Sequence, residues 1–306
     1  MHRLPCLLLF IAGCYGPRIS AGAPCSGNGM CPDDQVCIAE RCQVLGTPSP
    51  DAQIGVTDAP NDAALWSANP VPGEVNTGSE DDPSCTGDRK TIVFVSKRKG
   101  NGSGVAELFI GTRATTGASF TVAELTALNA ISSGDKASPE ISADGMTIYF
   151  TADIGDGTSD VYVSHRTGDT WGRPDHLPEL SDPSFNDSDV AISPDGLTAM
   201  VARAGMLMIA TRAPTDAAFG SPAAVSITVE GSDVASPSIT NHADVVYLHA
   251  GPTRRLYYTR REAGSYTKPV PISELESPER NSAPFVLEGE HYMLFARGNN
   301  IYEATR

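Results

Sequence analysis

The sequence has no apolar run approaching the roughly 18 to 20 residues that cross a bilayer, so its body is not a membrane-spanning chain. Charge is scarce and one-sided. Charged residues make up 19% of the 306 positions, with 22 Lys and Arg against 37 Asp and Glu and a formal charge of −15. A protein that tracks phosphates needs a basic face, so nucleic acid and anionic membrane surfaces are poor partners for this chain. The one basic run, Lys97-Arg98-Lys99, sits beside a glycine-rich turn and reads as a solvated loop. The motifs of common catalysts are missing too. His165, His176, His242, His249 and His291 are dispersed with no H-x-H or H-E-x-x-H pairing. No G-x-S-x-G elbow and no phosphate-cradling glycine loop occurs. No catalytic residue, cofactor or metal is therefore expected. One oxygen-rich loop leaves calcium open: Asp153, Asp156 and Asp160 in DIGDGTSD have usable spacings but lack the distal Glu of an EF-hand.

What is present begins with MHRLPCLLLFIAGC. Arg3 supplies a short positive region and Leu7 to Ile11 the centre of an apolar one, which together read as an export signal. Ile11-Ala12-Gly13-Cys14 resembles the bacterial lipobox. That resemblance implies cleavage after residue 13, lipidation of Cys14, and a firm anchor through three acyl chains. An ordinary cleavage site near Ala21 or Ala23 is the other reading. Tyr15 stands where an Asp would signal inner-membrane retention, which favours the outer membrane.

Of the seven cysteines, Cys6 lies in the signal and Cys85 stands alone in an apolar strand context. Cys25, Cys31, Cys37 and Cys42 crowd a Gly/Pro/Asp-rich segment, and an exported compartment is oxidising, so two disulfides are expected, in any of three connectivities. Zinc is the weaker alternative, because no Cys-x2-Cys clip or nearby His accompanies them. The segment resembles the small Cys-rich modules that follow lipidated cysteines in bacterial, notably myxobacterial, lipoproteins. Residues 46–64 carry Pro, Asp, Ala and Thr without an apolar period and read as a linker. The expected domains are thus a signal at 1–13, a Cys-rich module at 14–45, the linker, and one large domain at 65–306.

The large domain repeats itself. Five β-type runs, TIVFVS (91–96), TIYFTA (147–152), TAMVAR (198–203), VVYLHA (245–250) and YMLFAR (292–297), are each followed by a second run ending in Arg: Arg113, Arg166, Arg212, Arg260 and Arg306. A shorter run precedes each unit, and an aromatic (Phe120, Trp171, Phe219, Tyr266) follows each of the first four arginines by five to seven residues. Four short strands at a period near 50 predict a five-bladed β-propeller, an all-β fold. The fifth unit ends at Arg306 without an outer strand, and LWSANPVPGEVNT at 65–77 is expected to supply it and close the ring. Trp66 then becomes a packing residue at the seam, and the regular recurrence of the arginines suggests ion pairs or hydrogen bonds between blades.

S-x-x-I-S-x-D-G-x-T-I-Y-F…D-V-Y-V-x-x-R, at 138–166 and weakened at 193–212, resembles the WD40-like repeat of TolB-type propellers over roughly 65–306. Such propellers commonly serve as binding platforms, which implies a non-catalytic partner-binding role. The Asp-Gly pairs at 144–145 and 195–196 are expected to form two-residue hairpins on one rim. The opposite rim carries the variable loops and the acids Asp82, Asp135, Asp189, Asp233 and Glu279, and is the expected ligand surface. A monomeric envelope protein binding a protein, peptide or glycan is the leading reading. A glycosidase using two rim carboxylates, or a structural envelope protein without a ligand, are the alternatives.

Overall fold

A computed structural model describes residues 35–38, 41–44 and 65–306, apart from 101–103, 156 and 288. Cys14, Cys25, Cys31, the signal and the linker lie outside the described residues. The described residues fall in two units. The first contributes one antiparallel hairpin, Gln35–Ile38 with Arg41–Val44, whose backbone register sets positions 37 and 42 opposite each other. No described helix is long and apolar enough to cross a membrane.

The second unit is a ring of five antiparallel sheets, the five blades of a propeller. Blade 1 runs Glu80–Cys85, Thr91–Ser96, Glu107–Thr112 and Thr121–Glu124 from inside out. The inner strands of blades 2 to 5 are Lys136–Ile141, Asp187–Ile192, Val234–Ile239 and Asn281–Val286. Each second and third strand falls where the repeat puts it. The apolar residues of neighbouring sheets interdigitate into five clusters, one per blade interface; Phe94, Phe150, Met200, Tyr247 and Phe295 are among their fully buried side chains. Cys85 is a free, buried thiol in the interface between blades 5 and 1.

Blade 5 takes its fourth strand from Ser67–Pro70, which pairs antiparallel with Asn300–Thr305. Trp66 is 6% exposed, and the Arg306 guanidinium lies 4.6 Å from its ring centroid. A side-chain device completes this join. Asn76 Oδ1 accepts the Ile301 N–H at 2.7 Å, and its Nδ2 donates to the Ile301 carbonyl at 2.9 Å. Asn129 grips both backbone groups of Leu108 in blade 1 in the same way. That grip also explains why the outer strand Thr121–Glu124 is short and turns into the helix Thr126–Asn129. Leu125 N–H still donates to the Leu108 carbonyl at 3.0 Å, but Asn129 Oδ1 takes the Leu108 N–H in place of the next backbone carbonyl, leaving the chain free to turn.

The Asp-Gly turns correct an expectation. They are not two-residue hairpins: Ser142 to Met146 form a wider loop in which only Gly145 has positive φ, at 73°. Asp144 serves as an acceptor instead, taking the Met146 N–H at 3.0 Å and the Ser142 hydroxyl at 2.6 Å. Ser193, Asp195 and Gly196 repeat the arrangement in blade 3. The S-x-D-G spacing thus satisfies loop N–H groups that no strand can reach.

The repeated arginines reach back across the same rim. Arg113, Arg212 and Arg306 donate through Nε to the carbonyls of Arg89, Gly196 and Glu290, and stack over Phe120, Phe219 and Trp66. Arg212 also donates to the Tyr149 hydroxyl of blade 2 at 3.1 Å, and Arg113 lies 3.6 Å from Glu303 of blade 5. Each of these arginines fastens a turn to its own blade and also reaches the preceding one, Arg306 through the Tyr247 hydroxyl at 3.5 Å; Arg166 instead pairs with Asp169 in its own blade, and Arg260 with Glu290 of blade 5. A second set sits on the other rim: Arg98, Arg203 and Arg297 pair with Glu80, Asp187 and Asn281 at the start of the inner strand and donate to the carbonyls of Val75, Leu180 and Leu275.

Candidate functional site

Five inner strands face one central channel, and their sequences shape it. Four of them carry a proline, Pro83, Pro139, Pro237 and Pro284, at the same place. Proline is tolerated there because the N–H it lacks would face the channel and not a ladder partner. The residue before each, Asp82, Ser138, Ser236 and Ala283, has φ between 47° and 49°, and each strand bulges at that point. Blade 3 has Val190 among the lining residues and moves its bulge to Ser188. These five side chains narrow the channel to a space of about 20 Å³, room for roughly one water.

On the loop rim above that waist, Asp81, Asp82 and Asp189 come together. Ser138 N–H donates to Asp82, Ser282 to Asp81, and Ser236 and Ser188 to Asp189. Arg254 Nη1 lies 3.9 Å from Asp81. Burial, then Asp81 and Asp189, holds the Asp82 carboxyl well above the usual range. Burial likewise raises Asp81 and pushes His249 down to about 4, against the pull of Asp189, so the imidazole is neutral at pH 7. The other three rim acids do not join them. Asp135, Asp233 and Glu279 are exposed, and Asp135 accepts the Ala106 N–H at 2.7 Å, tying down a loop. Of the calcium trio, Asp156 lies outside the described residues. Asp153 accepts the Gly155 N–H, and Asp160 lies 3.6 Å from His176 across the sheet. Among the described residues no group of three metal-ligating side chains assembles.

Below the waist, on the Asp-Gly rim, the channel opens into a funnel of about 990 Å³. The sequence pointed to the opposite rim, with its variable loops and acids, whereas this one carries the short repeated turns. Those same short turns are why the rim stands open: they do not extend over the channel mouth. The funnel continues into the groove between blades 2 and 3, where Tyr149, Val163 and Leu177 face Pro194, Thr215 and Ala218. Its volume is at the upper end of the range for organic-ligand sites.

The ionisable groups in the funnel stand apart. Asp144 and Asp195 are each held below the usual carboxylate range: the Ser142 hydroxyl and the Met146 N–H do this for Asp144, and for Asp195 the Ser193 hydroxyl, Leu197 N–H and His242 outweigh burial. Glu140, at the floor, accepts a single hydrogen bond, from Ile192 N–H at 3.1 Å. Burial pushes its carboxyl up to about 8. It was not singled out in the sequence, where a glutamate in a strand of alternating character looks like any solvent-facing residue.

No protein-family model and no curated protein matches the sequence. Among solved structures, the chain is similar to a thermostable family-43 glycoside hydrolase, at 12% identity and a TM-score of 0.52, covering 78% of this chain and 91% of that one. It is similar to the catalytic domain of an α-L-arabinofuranosidase from Coprinopsis cinerea, at 11% identity and a TM-score of 0.50, covering 79% and 96%. TolB from Acinetobacter baumannii is 16% identical over 74% of this chain, with a TM-score of 0.42; this chain spans about half of that protein, 54%. At such identities the likeness shows a shared fold and nothing of activity.

Proposed function

We propose that this propeller is a non-catalytic binding module of the cell envelope, anchored through lipidated Cys14, which takes a segment of a protein, peptide or glycan into the funnel on the Asp-Gly rim. One observation carries the reading. The funnel is large enough for an organic ligand, yet its carboxyl groups do not act on one another: Asp144 and Asp195 serve their own turns, and Glu140 stands alone. Hydrolysis of a glycosidic bond needs two carboxyl groups within reach of each other. Binding needs only a shaped wall and a few polar contacts. The test is a peptide and glycan array read with the wild-type chain and with Ala218→Trp, which fills the funnel from its exposed wall. A ligand captured by the wild type and at least tenfold more weakly by the variant supports the reading. Equal capture of every ligand by both overturns it.

The second reading is a glycan-processing enzyme on the loop rim, favoured by the juxtaposition of Asp81, Asp82 and Asp189 beside Arg254. Against it, the space beside Asp82 admits about one water, and all three carboxylates already accept hydrogen bonds from the propeller itself. Turnover of a glycoside panel that disappears in Asp189→Asn would establish catalysis there.

A further inference from the structure

Resting on the funnel as the binding site, we infer that its ligand is cationic: an ammonium or guanidinium group on an extended peptide segment, seated at the floor against the free oxygen of Glu140. Three observations converge. The first is the position of Glu140, on the inner strand of blade 2, where it lines both the waist and the funnel. Its Oε1 takes the Ile192 N–H, and no described residue bonds Oε2, which is left to the cavity. A glutamine would hold the same N–H without the cost of a crowded acid, so packing alone does not call for a carboxyl group here.

The second is the sign of the surrounding charge. On blade 2, Asp144 and Glu179 are acidic; on blade 3, Asp195 and Asp216 are. Three groups could answer them: His242, whose Nε2 lies 3.9 Å from Asp195 and which meets that acid alone, Arg212 and His165. Arg212 is committed to the Gly196 carbonyl, the Tyr149 hydroxyl and the face of Phe219, and His165 faces the Thr147 hydroxyl. Blade 1 contributes the thiol of Cys85, kept protonated by burial, and blades 4 and 5 contribute Ile239, Phe285, Val286 and Leu287, which do not titrate. Beyond the waist lies Asp82, which brings no positive charge. The funnel therefore attracts cations and repels anions.

The third is the wall near the floor. Ile141, Ile192, Ile239 and Phe285 form an apolar sleeve, which suits the methylene stem of a lysine or arginine while its head meets the carboxylate. On binding, the Glu140 O–H bond breaks, its proton passes to solvent, and the carboxylate so formed pairs with the incoming cation. The ligand keeps its own protons throughout.

The experiment is calorimetric titration of the full chain with three neutral-ended tetramers: a tetrapeptide of lysine and a tetrapeptide of glutamine, each acetylated and amidated at its ends, and xylotetraose. The lysine peptide should bind at least tenfold more tightly than the other two and lose that binding in Ala218→Trp. Its affinity should rise up to about tenfold per pH unit from pH 6 to 7.5, because the binding-competent form of Glu140 is the ionised minority there. In buffers of differing ionisation enthalpy, about one proton should be released, and Glu140→Gln should abolish both the release and the pH slope. If that variant does not fold, proton release by the wild type still decides. Tight binding of the glutamine peptide or the glycan, sensitive to Ala218→Trp and flat in pH, overturns the cationic assignment and leaves the funnel standing. Lysine binding that ignores both substitutions also overturns it, as surface attraction to an acidic protein. Binding of any probe that is indifferent to Ala218→Trp removes the funnel itself from the reading.

Discussion

Replacing Asn76 with alanine tests how the ring is joined. Asn76 belongs to the segment before blade 1, yet its amide makes two bonds to blade 5, from Ile301 N–H at 2.7 Å and to the Ile301 carbonyl at 2.9 Å, and a third to the Val71 carbonyl of its own segment at 3.2 Å. Ile301 is fully buried. In Asn76→Ala its carbonyl keeps the Val71 N–H at 3.0 Å, but its own N–H is left without a partner and without water. A net hydrogen bond contributes about 1 kcal/mol, and an orphaned buried donor costs about 1 to 3 kcal/mol, so the substitution should cost about 2 to 4 kcal/mol. For a domain of this size that corresponds to a fall in Tm of roughly 5 to 12 °C. Asn129→Ala is the internal standard, since Asn129 grips Leu108 in the same way at a join where all strands are consecutive. Thermal and urea unfolding of both variants, with the urea slope unchanged, gives the comparison. If Asn76→Ala stays within about 0.5 kcal/mol of wild type while Asn129→Ala costs several times more, the N-terminal segment is not docked on blade 5 in solution.

Other substitutions address other parts of the molecule. Arg203→Ala leaves the wholly buried Asp187 with one donor, the Asp182 N–H, and should cost about 3 kcal/mol. Asp187→Asn keeps an acceptor for Arg203, as Asn281 does for Arg297 in blade 5, but sets its NH2 against the Asp182 N–H, so it should cost about 1 to 2 kcal/mol, less than Arg203→Ala; equal losses would refute the pairing. Glu140 has a folded-state pKa raised to about 8 against an ordinary 4.5, so the native state holds more protons than the unfolded one between those values. The stability from that proton is complete below pH 4.5 and is lost as pH rises through 8. Glu140→Gln should therefore flatten the fall of Tm across roughly pH 5 to 9, and parallel curves for the two proteins would refute the assignment. Cys14→Ser should abolish acyl labelling and move the protein to the soluble fraction, whereas unchanged membrane retention would remove the anchor.

The blade pattern was legible because it is written in local chemistry. A strand such as Thr147–Asp153 is β-branched and aromatic in composition, its turn announces itself by Ser142, Asp144 and Gly145, and the whole unit recurs with its terminal arginine. The structural role of the repeated arginines was readable for Arg113, Arg212 and Arg306, which make equivalent contacts, but not for Arg166 and Arg260, whose partners Asp169 and Glu290 differ. Arg98, Arg203 and Arg297 recur near the ends of second strands, and went unnoticed because Glu80, Asp187 and Asn281, their partners, differ in kind. Asn76 and Asn129 look like ordinary turn residues; only the nearby backbone of Ile301 and Leu108 reveals their use.

The sequence by itself determined the all-β repeat, the number of blades, most strand boundaries and the acidic character of the surface, because each depends on residues close together in the chain. Tertiary structure decided which rim opens, that prolines from four blades close the waist, that Asp81, Asp82 and Asp189 meet while Asp135, Asp233 and Glu279 do not, and that Glu140 stands alone beneath the funnel. These facts depend on how each sheet is rotated about a common axis relative to the next. That rotation is set by the packing of whole blade faces, and no short stretch of sequence records it.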